Sequence, residues 1–176
     1  IVPTHADGTF DIEGYAQMLE PNVRLVSFGH TSNLDGGTIP AAEVIKMARK
    51  NGSLVLLDAA QSAPHRQLNV RALDVDFLAF SGHKVMGPSG TGILYAKYAL
   101  LEEMEPFLVG GDTVATSTYE NAEFLPPPEK FEAGLQDYAG IIGLAAAVQY
   151  LQKIGFDAIQ KQELALNSAI TAGIKG

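Results

Sequence analysis

Two short apolar runs constrain this chain most strongly, because each ends directly at residues with reactive side chains. The first run is Leu54–Leu57, which stops at Asp58, and the second is Phe77–Phe80, which stops at Ser81–Lys84. Apolar runs of this length, bounded by polar residues and glycine, are typical of buried strands in an α/β sheet. Open α/β sheets bind ligands beyond the carboxyl ends of their strands. We therefore expect Asp58 and Lys84 to lie at the ligand-binding ends of two strands.

The residues before the first run predict a strand–helix–strand unit. A strand is expected over 23–28, and Pro40 suits the first turn of a helix that runs to about Lys50 and ends at Asn51–Gly52. Such a unit favours a parallel pair of strands joined by a right-handed crossover. The rest of the chain predicts helices or helical turns at 12–19, 70–73, 97–104, 138–153 and 157–174, a strand at 93–96 antiparallel to its neighbour, and an irregular stretch at 105–137.

Composition limits the classes of partner. The chain has 176 residues, of which 47% are hydrophobic and 18% charged, so it is globular and suits one domain. Its net charge of −8 argues against binding nucleic acid, and the lack of cysteine excludes disulfides and thiolate metal sites. No apolar run approaches the roughly 20 residues that span a bilayer, and no signal peptide is visible. We predict a cytoplasmic protein without nucleic-acid or membrane partners.

Taken singly, the candidate residues have ordinary explanations. Asp58 and Asn33 would be turn residues, and a lone Lys84 would be a solvated surface charge. What favours a reactive lysine is its position, since Lys84 follows a buried strand directly and comes after the small residues Ser81 and Gly82. Such a setting can desolvate an amine, as the lysines that form Schiff bases require.

The spacing of the glycine-rich turn excludes two reaction classes. A phosphate-binding loop requires lysine after its last glycine, and here Gly92 is followed by Ile93. The nucleophile elbow of serine hydrolases requires glycine two residues after the serine, and here Ser89 is followed at that spacing by Thr91. The turn is therefore interpreted as a tight connection between strands.

The four histidines of the chain, His5, His30, His65 and His83, predict no metal site. No two of them stand four residues apart, so the helical pair of zinc ligands is absent. We interpret His30 and His65 as structural residues of loops.

A series of short motifs resembles the class V aminotransferase superfamily of pyridoxal 5'-phosphate (PLP) enzymes, and best the group II cysteine desulfurases and selenocysteine lyases. In chain order the motifs are His30-x-Ser32-Asn33, Asp58-Ala59-Ala60-Gln61, Ser81-Gly82-His83-Lys84, Gly87-Pro88, Gly90-x-Gly92, Phe131-Glu132-Ala133-Gly134 and Gly140-Ile141-Ile142-Gly143-Leu144. The resemblance runs along nearly the whole chain. It implies an α/β fold with three αβα layers and a mostly parallel mixed sheet, the large domain of these enzymes.

The resemblance also implies a role for each matching residue. Lys84 matches the lysine that forms the internal aldimine and later moves protons at the substrate carbon. Asp58 matches the carboxylate beside the pyridine nitrogen, where a negative charge keeps that nitrogen protonated and makes the ring an electron sink. The other implied cofactor contacts are Ala60 on a ring face, Gln61 and Asn33 near the phenolic oxygen, and Ser81 and His83 at the phosphate.

The chain departs from the family pattern in two places and matches only part of a typical member. Leu135 stands where many members carry a threonine that reaches a phosphate across the dimer, and Asp35 replaces a more usual apolar residue. By resemblance, residues 1–176 form the central part of the large domain of a homodimeric parent, without the N-terminal segment and the C-terminal small domain. A start at Ile1 and a stop at Gly176 after a helical pattern agree with that expectation.

The activity that the resemblance implies is that of a cysteine desulfurase. Cysteine would be converted to alanine, and its sulfur would pass as a persulfide to an acceptor protein for iron–sulfur cluster assembly. The nucleophilic cysteine of that reaction is missing from this chain. The alternatives are another class V PLP enzyme (an aminotransferase, epimerase or kynureninase-like lyase) and a non-catalytic fragment.

Overall fold

A four-stranded sheet organises the computed structural model, which describes residues 1–175. Its strands lie in the order β1 Leu25–Gly29, β2 Leu54–Asp58, β3 Phe77–Ser81 and β4 Gly92–Ala96. The first three strands are parallel, and β4 is antiparallel to β3. The predicted α/β class, the parallel pair and the antiparallel last strand are confirmed.

Helices fill the connections between the strands and the second half of the chain. They are α1 Ile12–Met18, α2 Ala41–Lys50, α3 Val70–Leu73, α4 Tyr98–Glu103, α5 Tyr138–Ile154 and α6 Phe156–Lys175, with 3-10 turns at Gly82–Val85 and Glu129–Phe131. The predicted cap of α1 is present, since Oδ1 of Asp11 accepts a 2.7 Å hydrogen bond from the amide of Gly14. Gly155 ends α5 with a φ of +84°, a conformation that glycine adopts at little cost.

The stretch 105–137 is less irregular than the sequence predicts. It contains a hairpin of β5 Val114–Ser117 and β6 Ala122–Phe124, whose turn is held by hydrogen bonds from the amides of Glu120 and Asn121 to Oγ1 of Thr118. The two strands are short and mostly exposed. Without a buried face they lack the alternating apolar pattern by which strands are recognised.

One face of the main sheet forms the core. Val55 and Leu57 are fully buried on this face of β2, and Leu78 joins them from β3. Helix α2 supplies Ile45 and Ala48 to the same cluster. Next to it, α5 packs Leu144 and Leu151 against Val85 and the half-buried Phe80 and Ala63, which lie on or beside the same face.

The opposite face of the sheet is apolar but incompletely covered. Leu54 and Leu56 are half-buried there, as are Phe77 and Ala79, while Leu25 is 50% exposed and Leu94 60% exposed. Within residues 1–175, no side chain on this face is fully buried. The helix layer on this side of the expected three-layer fold is therefore incomplete in the described chain.

A cluster of charged side chains around the buried Asp76 fastens the amino ends of the parallel strands. The Asp76 carboxylate accepts hydrogen bonds from Nη2 of Arg49 at 2.6 Å and from the amide of Val55 at 2.8 Å, and Nζ of Lys97 lies 3.2 Å from it. Asp74 contacts both Arg49 and Lys97. The cluster joins α2, β2, β3 and the end of β4 on the side of the sheet away from Asp58.

In the described part of the chain, no single helix combines the length and apolar composition of a membrane span. Only α5 and α6 taken together have both properties, and the two helices are bent by 74° where they meet.

Candidate functional site

The carboxyl ends of the three parallel strands meet at one edge of the main sheet. Gly29 at the end of β1 pairs with Asp58 at the end of β2, and Asp58 pairs with Ala79 of β3. The chain then continues through Ser81 into the turn that carries Lys84. The predicted placement of Asp58 and Lys84 at the carboxyl ends of two strands is therefore correct, and the two strands are neighbours.

The Asp58 side chain is held on one side and open on the other. Its Oδ1 accepts a 2.8 Å hydrogen bond from the amide of Ala60, which orients the carboxylate along the turn that follows β2. In the part of the chain that the structure describes, Oδ2 accepts no hydrogen bond, and the residue is exposed. One carboxylate oxygen is thus available to a donor on a ligand.

Lys84 lies on a single 3-10 turn, Gly82–Val85, that follows β3 without a break. The turn is fastened by its glycine, because Gly82 donates to the carbonyl of Thr91 at 2.8 Å and accepts from the amide of Gly87 at 2.8 Å. Lys84 is half-buried, and it forms no ion pair with any side chain in residues 1–175. Its amine is therefore not neutralised by a described carboxylate.

Asn33 and Gln61 line one small cavity of about 340 Å³. Asn33 is exposed in the loop after β1, and Gln61 is half-buried in the turn after β2. The walls of the cavity also include His65 and Arg66 from the same connection and Glu163 from α6. The fold thus brings together two predicted residues that lie on different loops.

Ser81 and His83 accompany Lys84 at the end of β3. Ser81 is half-buried and pairs with Gly92 in the antiparallel ladder, whereas His83 is exposed on the 3-10 turn. Ala60 is half-buried between Asp58 and Gln61. Leu135, at the position where many members of the resembled family carry threonine, is 89% exposed.

Two buried residues beside Asp58 were not among the predicted site residues. His30 is 8% exposed, and its Nδ1 lies 3.0 Å from Oγ of the fully buried Ser62. Burial, and secondarily the charge of Arg66, lowers the pKa of His30 below its usual value. Both residues adjoin motifs of the family resemblance, since His30 opens His30-x-Ser32-Asn33 and Ser62 follows Gln61, but nothing in those motifs predicts that the two residues are buried together.

A second cavity, of about 560 Å³, lies between the core face of the sheet and helices α5 and α6. Its lining is mainly apolar and includes Leu78, Phe80, Tyr95 and Leu151. It holds none of the predicted site residues, so the strand ends are the candidate site. Within residues 1–175, no group of three or more histidine or carboxylate side chains is arranged to hold a metal ion.

Comparison with known proteins matches the family model described as aminotransferase class-V to residues 1–176. A probable cysteine desulfurase of Halobacterium salinarum is 47% identical over 165 residues, which cover 94% of this chain and 40% of that protein. The chain therefore spans about two fifths of the length of the curated relatives it matches.

Solved structures show the same relationship. The apo structure of cysteine desulfurase from Thermococcus onnurineus superposes with a TM-score of 0.94 at 37% identity. The match covers 99% of this chain and 44% of the Thermococcus chain. The cystine C-S lyase C-DES, solved with its product cysteine persulfide, superposes with a TM-score of 0.72 at 34% identity over 81% of this chain and 39% of that one. A mutant of C-DES has been solved with glycine covalently linked to its PLP cofactor.

Proposed function

This chain belongs to the class-V aminotransferase family, and we propose that it is the central part of the PLP-binding large domain of a cysteine desulfurase. The observation that carries the proposal is the placement of Asp58 and of the turn bearing Lys84 at the carboxyl ends of two adjacent parallel strands. Similarity to a 47% identical probable cysteine desulfurase supports the choice of reaction.

The residues at the strand ends fit PLP by their chemistry. A pyridine nitrogen that carries a proton needs an acceptor, and Oδ2 of Asp58 is open for that bond while Oδ1 is held by Ala60. An aldehyde needs an amine, and Lys84 is half-buried and without a carboxylate partner in the described chain. When bound, PLP supplies an electron sink that stabilises negative charge on the substrate carbon.

The chain's own residues would then perform distinct tasks. Lys84 would attach the cofactor and move a proton between its Nζ and the substrate carbon, while Asp58 would hold the proton on the ring nitrogen. The contacts that fix the cofactor's orientation would be Ala60 against the ring, Gln61 and Asn33 near the phenolic oxygen, and Ser81 and His83 at the phosphate.

Cysteine is the substrate that the proposal assigns, with alanine and enzyme-bound persulfide sulfur as products for iron–sulfur cluster assembly in the cytoplasm. This chain holds no cysteine, so the thiolate that would take the sulfur is not among its residues. A sulfur-acceptor protein is the implied partner of the whole enzyme. The second candidate is a cystine lyase, which the structural likeness to C-DES favours.

The parent protein is further proposed to be a homodimer. Large apolar side chains are almost fully exposed in and around the hairpin β5–β6, namely Phe107, Tyr119 and Leu135. Large apolar side chains exposed along one segment are candidates for a contact surface. A dimer contact here would lie on the segment that leads into α5.

Titration of the PLP-loaded chain with amino acids tests the assigned substrate. We expect L-cysteine to change the visible absorption of the bound cofactor at lower concentration than L-cystine does. A response to L-cystine with none to L-cysteine would favour the lyase, and a chain that holds no PLP would favour a non-catalytic fragment.

A further inference from the structure

His30 connects two site loops that are distant in sequence. It is the first residue after β1, and it stands three residues before Asn33. Its Nδ1 lies 3.0 Å from Oγ of Ser62, 32 residues further along the chain. Both residues are buried, with exposures of 8% and 0%. A polar pair this deep is costly to break, because each partner would be left buried without a hydrogen bond.

Backbone hydrogen bonds tie the same two residues to the turn that presents Asp58. The amide of His30 donates to the carbonyl of Asp58 at 2.8 Å, so the end of β1 holds the end of β2. At the other side of the turn, the amide of Ser62 donates to the carbonyl of Ala59 at 3.0 Å. The His30–Ser62 contact therefore closes a ring of bonds around the residues that orient the Asp58 carboxylate through the amide of Ala60.

The charge state of His30 agrees with a hydrogen bond to Ser62. Burial, followed by the charge of Arg66, lowers the pKa of His30, so its imidazole is neutral at neutral pH. Oγ of Ser62 also lies 3.4 Å from the carbonyl of Ala59. Nδ1 of His30 and the Ser62 hydroxyl are both satisfied when Nδ1–H donates to Ser62 and that hydroxyl donates to the carbonyl of Ala59, which also accepts from the amides of Ser62 and Ala63. A neutral ring places no positive charge beside Asp58 that would compete for its carboxylate.

We propose that His30 and Ser62 are positioning residues, which hold the turn Asp58–Gln61 so that the free oxygen of Asp58 meets the ring nitrogen of PLP. This assignment rests on the proposed function and adds to it a pair of residues that do not themselves touch the cofactor. The two histidines at this edge of the sheet thus have different roles. His30 is buried behind the site and positions a loop, whereas His83 is exposed on the turn of Lys84 and would contact the phosphate.

Amide hydrogen exchange in the cofactor-free chain tests the pair without any use of activity. We expect Ser62→Ala and His30→Phe to speed exchange at the amides of residue 30 and Ala60 by about tenfold, since one net hydrogen bond is lost. The amide of Val55, which bonds to Asp76 at the far end of β2, is the internal reference and should not change. Ser168→Ala, which removes an exposed hydroxyl bonded to the carbonyl of Leu164, is the matched control.

Binding of PLP tests the positioning role itself. We expect Ser62→Ala and His30→Phe to raise the Kd for PLP about five- to tenfold. We expect His30→Asn, whose side-chain amide can replace Nδ1 as donor to Ser62, to restore most of the affinity for PLP. A rescue of this kind separates the specific hydrogen bond from general packing.

The outcomes separate this proposal from the proposed function. Unchanged exchange at the amides of residue 30 and Ala60 in both variants would contradict the positioning role, and so would faster exchange with an unaltered Kd for PLP. A wild-type chain that binds no PLP would overturn the proposed function, while the exchange at Ala60 would still decide whether the pair holds the turn. Faster exchange at Val55 as well would indicate that the variant unfolds globally. In that case Ser62→Ala, the smallest change, tests the positioning role by its Kd for PLP and by its exchange at Ala60 relative to Val55.

Discussion

Thr91 packs against Gly82 so closely that Gly82 has no room for a side chain. A Cβ atom on Gly82 would overlap Oγ1 of Thr91 and would lie 3.0 Å from the carbonyl oxygen of the same residue. That oxygen also accepts the hydrogen bond of the Gly82 amide. Because Gly82 opens the turn that carries Lys84, the contact with Thr91 sets the direction in which the lysine leaves β3.

Replacing Gly82 by alanine should therefore damage the site as well as the fold. We expect Gly82→Ala to lower the free energy of unfolding by about 1–3 kcal/mol, the usual cost of overpacking, and to reduce the fraction of chain that binds PLP. Urea denaturation and cofactor titration measure the two effects. Gly111→Ala is the control, because a Cβ there would meet no atom within 4 Å. Equal behaviour of the two variants would show that the turn tolerates a shift.

Asp58 should matter more for the cofactor than for the fold. Its side chain is exposed and makes one hydrogen bond, to the amide of Ala60, so Asp58→Ala should cost about 1 kcal/mol or less of stability. Asp58→Asn keeps an oxygen for that bond and removes the charge. We expect both variants to bind PLP more weakly and with an altered visible spectrum. A loss of folding that parallels the loss of binding would contradict a role at the pyridine nitrogen.

The buried carboxylate of Asp76 should contribute a large part of the stability. Its partners are Arg49, Lys97 and the amide of Val55, and the side chain itself is 2% exposed. We expect Asp76→Asn to lower the free energy of unfolding by about 2–3 kcal/mol near neutral pH, because it removes the buried charge that accepts hydrogen bonds from Arg49 and Lys97. Urea denaturation gives the value, with the exposed Glu43→Gln as control.

Acid should remove the contribution of Asp76 to the free energy of unfolding. Burial is the largest influence on this carboxyl and acts to raise its pKa, but the hydrogen bonds from Arg49, Val55 and Lys97 together hold the pKa below its usual value of 3.8. The unfolded chain therefore binds a proton at higher pH than the folded chain does. The stabilisation is complete above about pH 5 and falls as pH drops through the folded pKa. The difference in free energy of unfolding between wild type and Asp76→Asn should become smaller in acid. A difference that stays constant with pH would contradict a lowered pKa of Asp76.

The exposed apolar side chains in and around the hairpin β5–β6, which include Phe107, predict that the chain associates with itself. We expect the wild-type chain to sediment as a dimer and Phe107→Glu to shift it toward monomer. Met18→Glu serves as the control, since Met18 is 43% exposed on α1, away from that hairpin. A wild-type chain that stays monomeric would contradict self-association. A dimer that persists in Phe107→Glu would show that the contact lies elsewhere.

The sequence predicts the edge of the sheet better than it predicts the packing behind it. Leu54–Leu57 and Phe77–Phe80 are continuous apolar runs, and continuous runs are what strands of a parallel sheet need when they are packed into a core. Asp58 and Lys84 follow these runs directly, so their place at the strand ends could be read from the chain. Helix boundaries were predictable for the same local reasons, as the cap at Asp11 illustrates.

Contacts between distant residues carry no such local signal. His30 and Ser62 are 32 residues apart, and neither the hydrogen bond between them nor their burial has a pattern in the sequence. The overlap of Thr91 with Gly82 likewise depends on the antiparallel pairing of β3 and β4. The hairpin β5–β6 escaped prediction because its strands are short and exposed on both faces. In each case tertiary packing, rather than local propensity, determines the structure.

Covalent capture of the cofactor tests the central claim most directly. The chain is mixed with PLP, borohydride is added to make the lysine–cofactor bond permanent, and the labelled peptide is identified by mass spectrometry. We predict a single dominant label on Lys84, and its loss in Lys84→Arg but not in Lys130→Arg, which alters a buried lysine that donates to the carbonyl of Glu102 and lies over the ring of Phe131. A label on another residue, or a label that persists unchanged in Lys84→Arg, would contradict the assignment of this edge of the sheet as a PLP site.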